Sequence, residues 1–247
     1  MDTQTEAQIY LSDQRGFSQL DSFRSYHSFN FGHYFQESRK PFGALQLLND
    51  DTLKAGKSIR MIAETHTTAL IIPIVGGLEY KSESGDGFLE AGEVQIFSLA
   101  AGMDYELINP YETELINFIQ VWLDDDSIPP TSSPQQTAFD LTTKNKLLPI
   151  LPLSSSHTQI SRCYIGRYDG RQEDVYHLQQ AADQVQSTGI FVFILSGAFE
   201  VQNRLLHERD GLALTNLKEG VLEFEALSND AILLLMEIPI RPEIHPV

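Results

Sequence analysis

Ile74-Val75-Gly76-Gly77-Leu78-Glu79-Tyr80 in the first half of the chain is echoed by Leu195-Ser196-Gly197-Ala198-Phe199-Glu200-Val201 in the second. Each copy follows an apolar run, Ala69–Val75 or Phe191–Leu195, and each leads to an acidic turn, Gly92-Glu93-Val94 or Arg209-Asp210-Gly211. An apolar strand, a glycine turn and a second strand, repeated in both halves, predict two β-barrels of related build. Further β-type runs support this. Leu115–Leu123 and Ala231–Met236 are rich in branched and aromatic residues, and sustained helical periodicity is scarce. Short helical turns are expected only near Lys144–Leu148 and Gln179–Val185.

Between the halves, Asp124–Gln136 combines consecutive aspartates, three prolines and small polar residues. Such a stretch buries little and reads as a linker. The expected layout is therefore a domain over residues 1–123, a linker over 124–136 and a domain over 137–247.

At 247 residues, the chain has room for two modest domains. Its formal charge of −17 repels phosphate backbones and anionic membranes, so direct nucleic-acid or membrane binding is not expected. The single Cys163 excludes an intrachain disulfide scaffold and reads as a buried, inert thiol. Met1–Glu6 carries no leader-like signal, and no apolar run approaches the ~20 residues of a spanning helix, so a cytoplasmic location is expected. No phosphate loop, nucleophile elbow or Cys-x-x-Cys motif is present.

Residues 15–123 add a more specific signal. Tyr26-His27-Ser28-Phe29-Asn30-Phe31-Gly32 precedes Ala55-Gly56-Lys57-Ser58. Gly76-Gly77-Leu78-Glu79-Tyr80, Gly85-Asp86-Gly87 and Gly92-Glu93-Val94-Gln95 then lead without a gap to Gly102 and Asn109. This order resembles the pirin family of bicupins, some of whose members are quercetin 2,3-dioxygenases. The resemblance implies an all-β fold of two tandem cupin (jelly-roll) barrels, with an N-terminal arm packed across them. It also implies iron or another divalent metal held by a His-x-His pair, a third His and a Glu.

Carried onto this chain, those four positions are Ile62, Glu64, Tyr105 and Leu107. Isoleucine and leucine offer no lone pair, so no cofactor is expected. The resemblance then implies a non-catalytic bicupin that binds a small ligand or a protein partner. Its site would be a cavity between Ile62, Glu64, His66, Tyr105 and Leu107. Two other readings remain open: an oxidoreductase resembling quercetin 2,3-dioxygenase, with rearranged ligands Glu64, His66 and Tyr105, and an interaction module with filled barrels. His27 and His33 are expected as packed histidines bonding backbone carbonyls, and His177 and His207 as surface or strand-edge residues. Pro73 departs from the family pattern, and proline suits an edge or a bulge.

Overall fold

The computed structural model describes residues 4–124, 135–151, 161–179 and 187–240. Its early strands are β1 (Glu6–Tyr10), β2 (Gly16–Gln19), β3 (Phe23–His27), β4 (Leu45–Leu53), β5 (Ser58–Ile62) and β6 (Thr67–Val75). Next come β7 (Leu78–Ser82), β8 (Gly85–Leu89), β9 (Glu93–Leu99), β10 (Asp104–Ile108) and β11 (Ile116–Leu123). The chain continues with β12 (Gln135–Ala138), β13 (Lys146–Pro149), β14 (Arg162–Tyr168), β15 (Glu173–His177) and β16 (Thr188–Ser196). Last are β17 (Phe199–Val201), β18 (Arg204–Leu206), β19 (Gly211–Thr215), β20 (Val221–Ala226) and β21 (Ala231–Pro239). No helix among the described residues is long and apolar enough to cross a membrane.

These strands form two compact units, each an antiparallel sandwich. The first pairs a sheet of order β12-β9-β6-β11-β4-β3-β2 with one of order β5-β10-β7-β8. The second pairs β1-β19-β16-β21-β14-β13 with β15-β20-β17-β18. The quoted echo marks equivalent corners: Gly76 closes β6 onto β7 at φ 75, and Gly197 closes β16 onto β17 at φ 78. Only glycine takes that backbone without strain. A Cβ on Gly197 would also lie 2.9 Å from the Ala231 Cβ. Gly197→Ala should therefore lower stability by about 2 kcal/mol in urea unfolding. An unchanged midpoint would mean that the corner relaxes freely.

Inward-facing side chains alternate along the strands, as one buried face requires. In the first barrel they include Leu53, Met61, Ala63, Ile71, Leu78, Tyr80, Phe97, Tyr105, Leu107 and Phe118. In the second, Val192, Ile194, Phe199, Leu212, Leu222, Phe224, Leu233 and Leu235 do the same. Each large apolar side chain buried in this way contributes roughly 1.5–3 kcal/mol. Pro73 sits where the β6–β11 register shifts between Asn117 and Phe118, and beyond the last β6–β9 pair at Ile71. A missing amide donor costs little at that bulge.

The structure departs from the expected boundaries in two places. Residues 4–14 belong to the second unit, because β1 pairs with β19 in a register from Glu6–Thr215 to Tyr10–Gly211. At the other boundary, Gln135 and Gln136 open β12, which pairs with β9, and the first unit runs to Asp140. Each barrel thus fills the same edge position, beside β9 or β19, with a strand distant in sequence. Residues 125–134 of the expected linker lie outside the described residues. The helix expected near Lys144–Leu148 is instead strand β13, paired with β14. Pro149 disfavours helix at Leu148, and the open edge of β14 takes the extended segment. Of the other expected turn, Gln179 lies beyond the end of β15 in no helix, and residues 180–186 lie outside the described residues.

Candidate functional site

The positions implied by the family resemblance fall on β5, β10 and the loop after β5. Paired residues on adjacent antiparallel strands share a face. Tyr105 pairs with Met61 and Leu107 with Ile59, whereas Asp104 pairs with Ile62 and Glu106 with Arg60. Tyr105 and Leu107 therefore point into the barrel beside Met61, and both are 0% exposed. Ile62 points outward and is 56% exposed.

The alternation continues past the end of β5. The Ala63 amide donates to the Met103 carbonyl at 2.9 Å, and the Gly102 amide donates to the Ala63 carbonyl at 2.8 Å. Ala63 is buried and Glu64 is exposed. His66 is half-buried before β6, with Nδ1 lacking a hydrogen-bond partner. The cavity expected between these five residues is therefore not formed, because Tyr105 and Leu107 are interior while Ile62 and Glu64 lie on the outer face. The rearranged trio of Glu64, His66 and Tyr105 is likewise not assembled. Nor is any group of three or more His, Cys, Asp or Glu placed to hold a metal among the described residues.

What occupies the interior instead is a hydrogen-bonded polar chain inside the apolar core. The Tyr105 hydroxyl donates to Gln120 Oε1 at 2.6 Å and accepts from Trp122 Nε1 at 2.8 Å. Gln120 in turn donates through Nε2 to Asp51 Oδ2. Phe97 stacks on the Tyr105 ring, with centroids 4.8 Å apart and planes 8° from parallel. β10 in one sheet is thereby tied to β11 and β4 in the other. Burial raises the Tyr105 pKa, and the nearby Asp51 adds to the rise against the Trp122 hydrogen bond. The phenol stays protonated, as suits a hydroxyl that donates one hydrogen bond and accepts another.

Asp51 is the chemically unusual member. Burial pushes its carboxyl up to about 7, helped by Asp50 and opposed by hydrogen bonds from Gln120 and Ser25. Next along the same face, His27 Nδ1 lies 2.9 Å from Asn49 Oδ1, and its Nε2 lies 2.8 Å from Ser18 Oγ. Burial lowers the His27 pKa, with Arg15 contributing and the Asn49 hydrogen bond opposing. His27 is packed as expected, though its partners are side chains and not a backbone carbonyl; His33, expected to be packed, is instead exposed, and His177 and His207 are exposed as expected. Cys163 is buried, and burial pushes its thiol up to about 12. Asp51, Gln120 and Trp122 were not among the expected site residues. Their signal in the sequence is polar side chains inside otherwise apolar strands, Asn49-Asp50-Asp51 within β4 and Gln120 within β11.

Comparison with known proteins places this geometry among relatives. A family model described as pirin matches residues 10–123, and one described as a quercetinase C-terminal cupin domain matches residues 159–238. Quercetin 2,3-dioxygenase of Escherichia coli K12 is 29% identical over 135 residues, a match covering 53% of this chain and 58% of that relative. A putative quercetin 2,3-dioxygenase of Pasteurella multocida is 26% identical over 216 residues, covering 85% of this chain and 90% of the relative. Among solved structures, Escherichia coli YhhW has a TM-score of 0.81 at 21% identity, covering 96% of this chain and 99% of that one. The bacterial pirin YhhW in complex with nickel(II) has a TM-score of 0.80 at the same identity. Likeness at that identity speaks to the fold alone.

Proposed function

The chain belongs to the pirin family of two-barrel cupins, and from there we propose that its metal site is degenerate and that it acts by binding a partner, without catalysing oxygen insertion. The observation that carries this reading is the interior itself. At two of the positions to which the resemblance carries the family's metal ligands, this barrel holds Leu107, which has no lone pair, and Tyr105, whose hydroxyl already bonds Gln120 and Trp122. The other two positions, Ile62 and Glu64, are outward-facing and exposed. The residues present do not fit the metal, so no reaction step is derived through one. With the first barrel's interior taken up by its own side chains, recognition moves to its outer surface, which favours a protein partner over a small ligand held inside.

Elemental analysis after native purification tests this. Well under one iron, nickel or zinc per chain is expected, together with quercetin cleavage no faster than background. Near-stoichiometric metal with chelator-sensitive turnover would overturn the reading.

A further inference from the structure

Three side chains near one end of the large sheet of the first barrel form a series that the barrel's stability does not require. Ser18 on β2, His27 on β3 and Asn49 on β4 stand on three successive strands. Asn49 pairs directly with His27, and Ser18 pairs with Ser25, one row further along the same face. Ser18 Oγ lies 2.8 Å from His27 Nε2, and His27 Nδ1 lies 2.9 Å from Asn49 Oδ1. A hydroxyl, an imidazole and a side-chain oxygen in that order match the nucleophile, base and orienting group of a serine acyl-transfer centre.

The partners of Nδ1 fix the tautomer. It faces two oxygens, Asn49 Oδ1 and, at 3.2 Å, Ser25 Oγ, and Ser25 also hydrogen-bonds Asp51. An amide oxygen only accepts, so Nδ1 carries the ring proton and Nε2 turns its lone pair to the Ser18 hydroxyl. His27 is 0% exposed, and burial lowers its pKa, so the ring is a neutral base at neutral pH. The rings of Phe31 and Tyr34, with centroids 5.0 and 6.4 Å away, shield it. Ser18 is half-buried while Ser25 is fully buried, so only the first is open to solvent.

The backbone around Ser18 adds donors. β2 is an edge strand, paired with β3 alone among the described strands. The Leu20 amide donates to the Phe23 carbonyl at 2.8 Å. Antiparallel alternation then turns the amides of Gly16 and Ser18 toward β3, and those of Phe17 and Gln19 away from it. The serine is thus flanked by two N–H groups directed off the sheet edge, the kind of donor a developing oxyanion needs. One of them belongs to the residue after the nucleophile, a recurrent place for such a donor.

We infer that Ser18 is a nucleophile that takes the acyl group of a small, uncharged carboxylic ester, with His27 as its general base and Asn49 as a positioning residue. This goes beyond the partner binding proposed above and does not depend on it. Ser18 Oγ bonds to the ester carbonyl carbon as its proton passes to His27 Nε2. The bond from that carbon to the alkoxy oxygen breaks, and the alcohol leaves with the proton. Water then attacks the acyl-serine with the same base, which releases the carboxylic acid and restores the hydroxyl. The ester is small because Phe31 and Tyr34 crowd the imidazole. It is uncharged because Arg15, whose charge reaches His27, is committed to Asp50 at 3.2 Å.

A rhodamine-tagged fluorophosphonate and p-nitrophenyl acetate, each added to the full chain, test this. The fluorophosphonate forms an Oγ–P bond at an activated serine and expels fluoride. Peptide mass mapping should place the label on Ser18, at a rate that falls at least ~100-fold in denaturing urea and in His27→Gln. Release of p-nitrophenolate should be faster for the native chain than for Ser18→Ala, whose unchanged urea midpoint verifies its fold. Nitrogen NMR of the His27 ring reads the role of Asn49: Nδ1 protonated and Nε2 bare, a preference that Asn49→Leu should abolish. No label on Ser18, labelling as fast in urea as in the native chain, or ester cleavage equal in Ser18→Ala would each overturn the assignment. So would a ring protonated at Nε2, or an Asn49→Leu chain that keeps both the tautomer and the labelling rate.

Discussion

Stability of the first barrel should fall as pH rises from about 4 to 7, and Asp51→Asn should remove most of that fall. The Asp51 carboxyl is fully buried and pushed up to about 7, from an ordinary value of 3.8. The folded state therefore holds a proton that the unfolded chain releases at lower pH. The resulting stabilisation is complete below the unfolded pKa and is lost as pH climbs through the folded one. A shift of about three units corresponds to about 4 kcal/mol across the window, or ~1.4 kcal/mol per pH unit within it.

His27 works in the opposite sense. Its pKa is lowered by burial, so its contribution rises with pH over the lower part of the same range. The wild-type slope is the sum of both effects, and the difference between wild type and Asp51→Asn isolates the carboxyl. Urea unfolding at half-unit pH steps measures it. Parallel slopes for the two proteins would show that Asp51 ionises normally inside the barrel.

Tyr105→Phe should cost about 2–4 kcal/mol with the Phe97 stack kept intact. The substitution removes one hydroxyl and strands two groups: Gln120 Oε1, which loses its donor, and Trp122 Nε1, which loses its acceptor. Gln120 is 0% exposed, so water does not replace the missing partner there. Each orphaned buried group costs about 1–3 kcal/mol. The urea midpoint reads the loss, and a shift worth under ~0.5 kcal/mol would show the hydroxyl to be dispensable. Because Gln120 also bonds Asp51, Tyr105→Phe and Asp51→Asn share a partner. Their effects should deviate from additivity by about 0.5 kcal/mol or more.

Local sequence carried the architecture. The positive-φ corners at Gly76 and Gly197, the apolar β-type strands around them and the all-β content are short-range properties, and short-range physics governs them. The same residues carried the family resemblance, which named Tyr105 and Leu107 as interior positions. Three other features were set only by the tertiary structure. The first is the facing of β5: strands have a period of two, so the pairing of Tyr105 with Met61 sends Ile62 and Glu64 outward, and a one-residue difference in register reverses every side chain. The second is the edge strands: β1 reaches β19 across some two hundred residues, and β12 returns to β9, choices made by open sheet edges that no local pattern records. The third is the chemistry of Asp51, Gln120 and Tyr105. As residue types they are ordinary, and only their enclosure on three strands in a dry interior makes one a proton-binding carboxyl near neutral pH and another a protonated tether between two sheets.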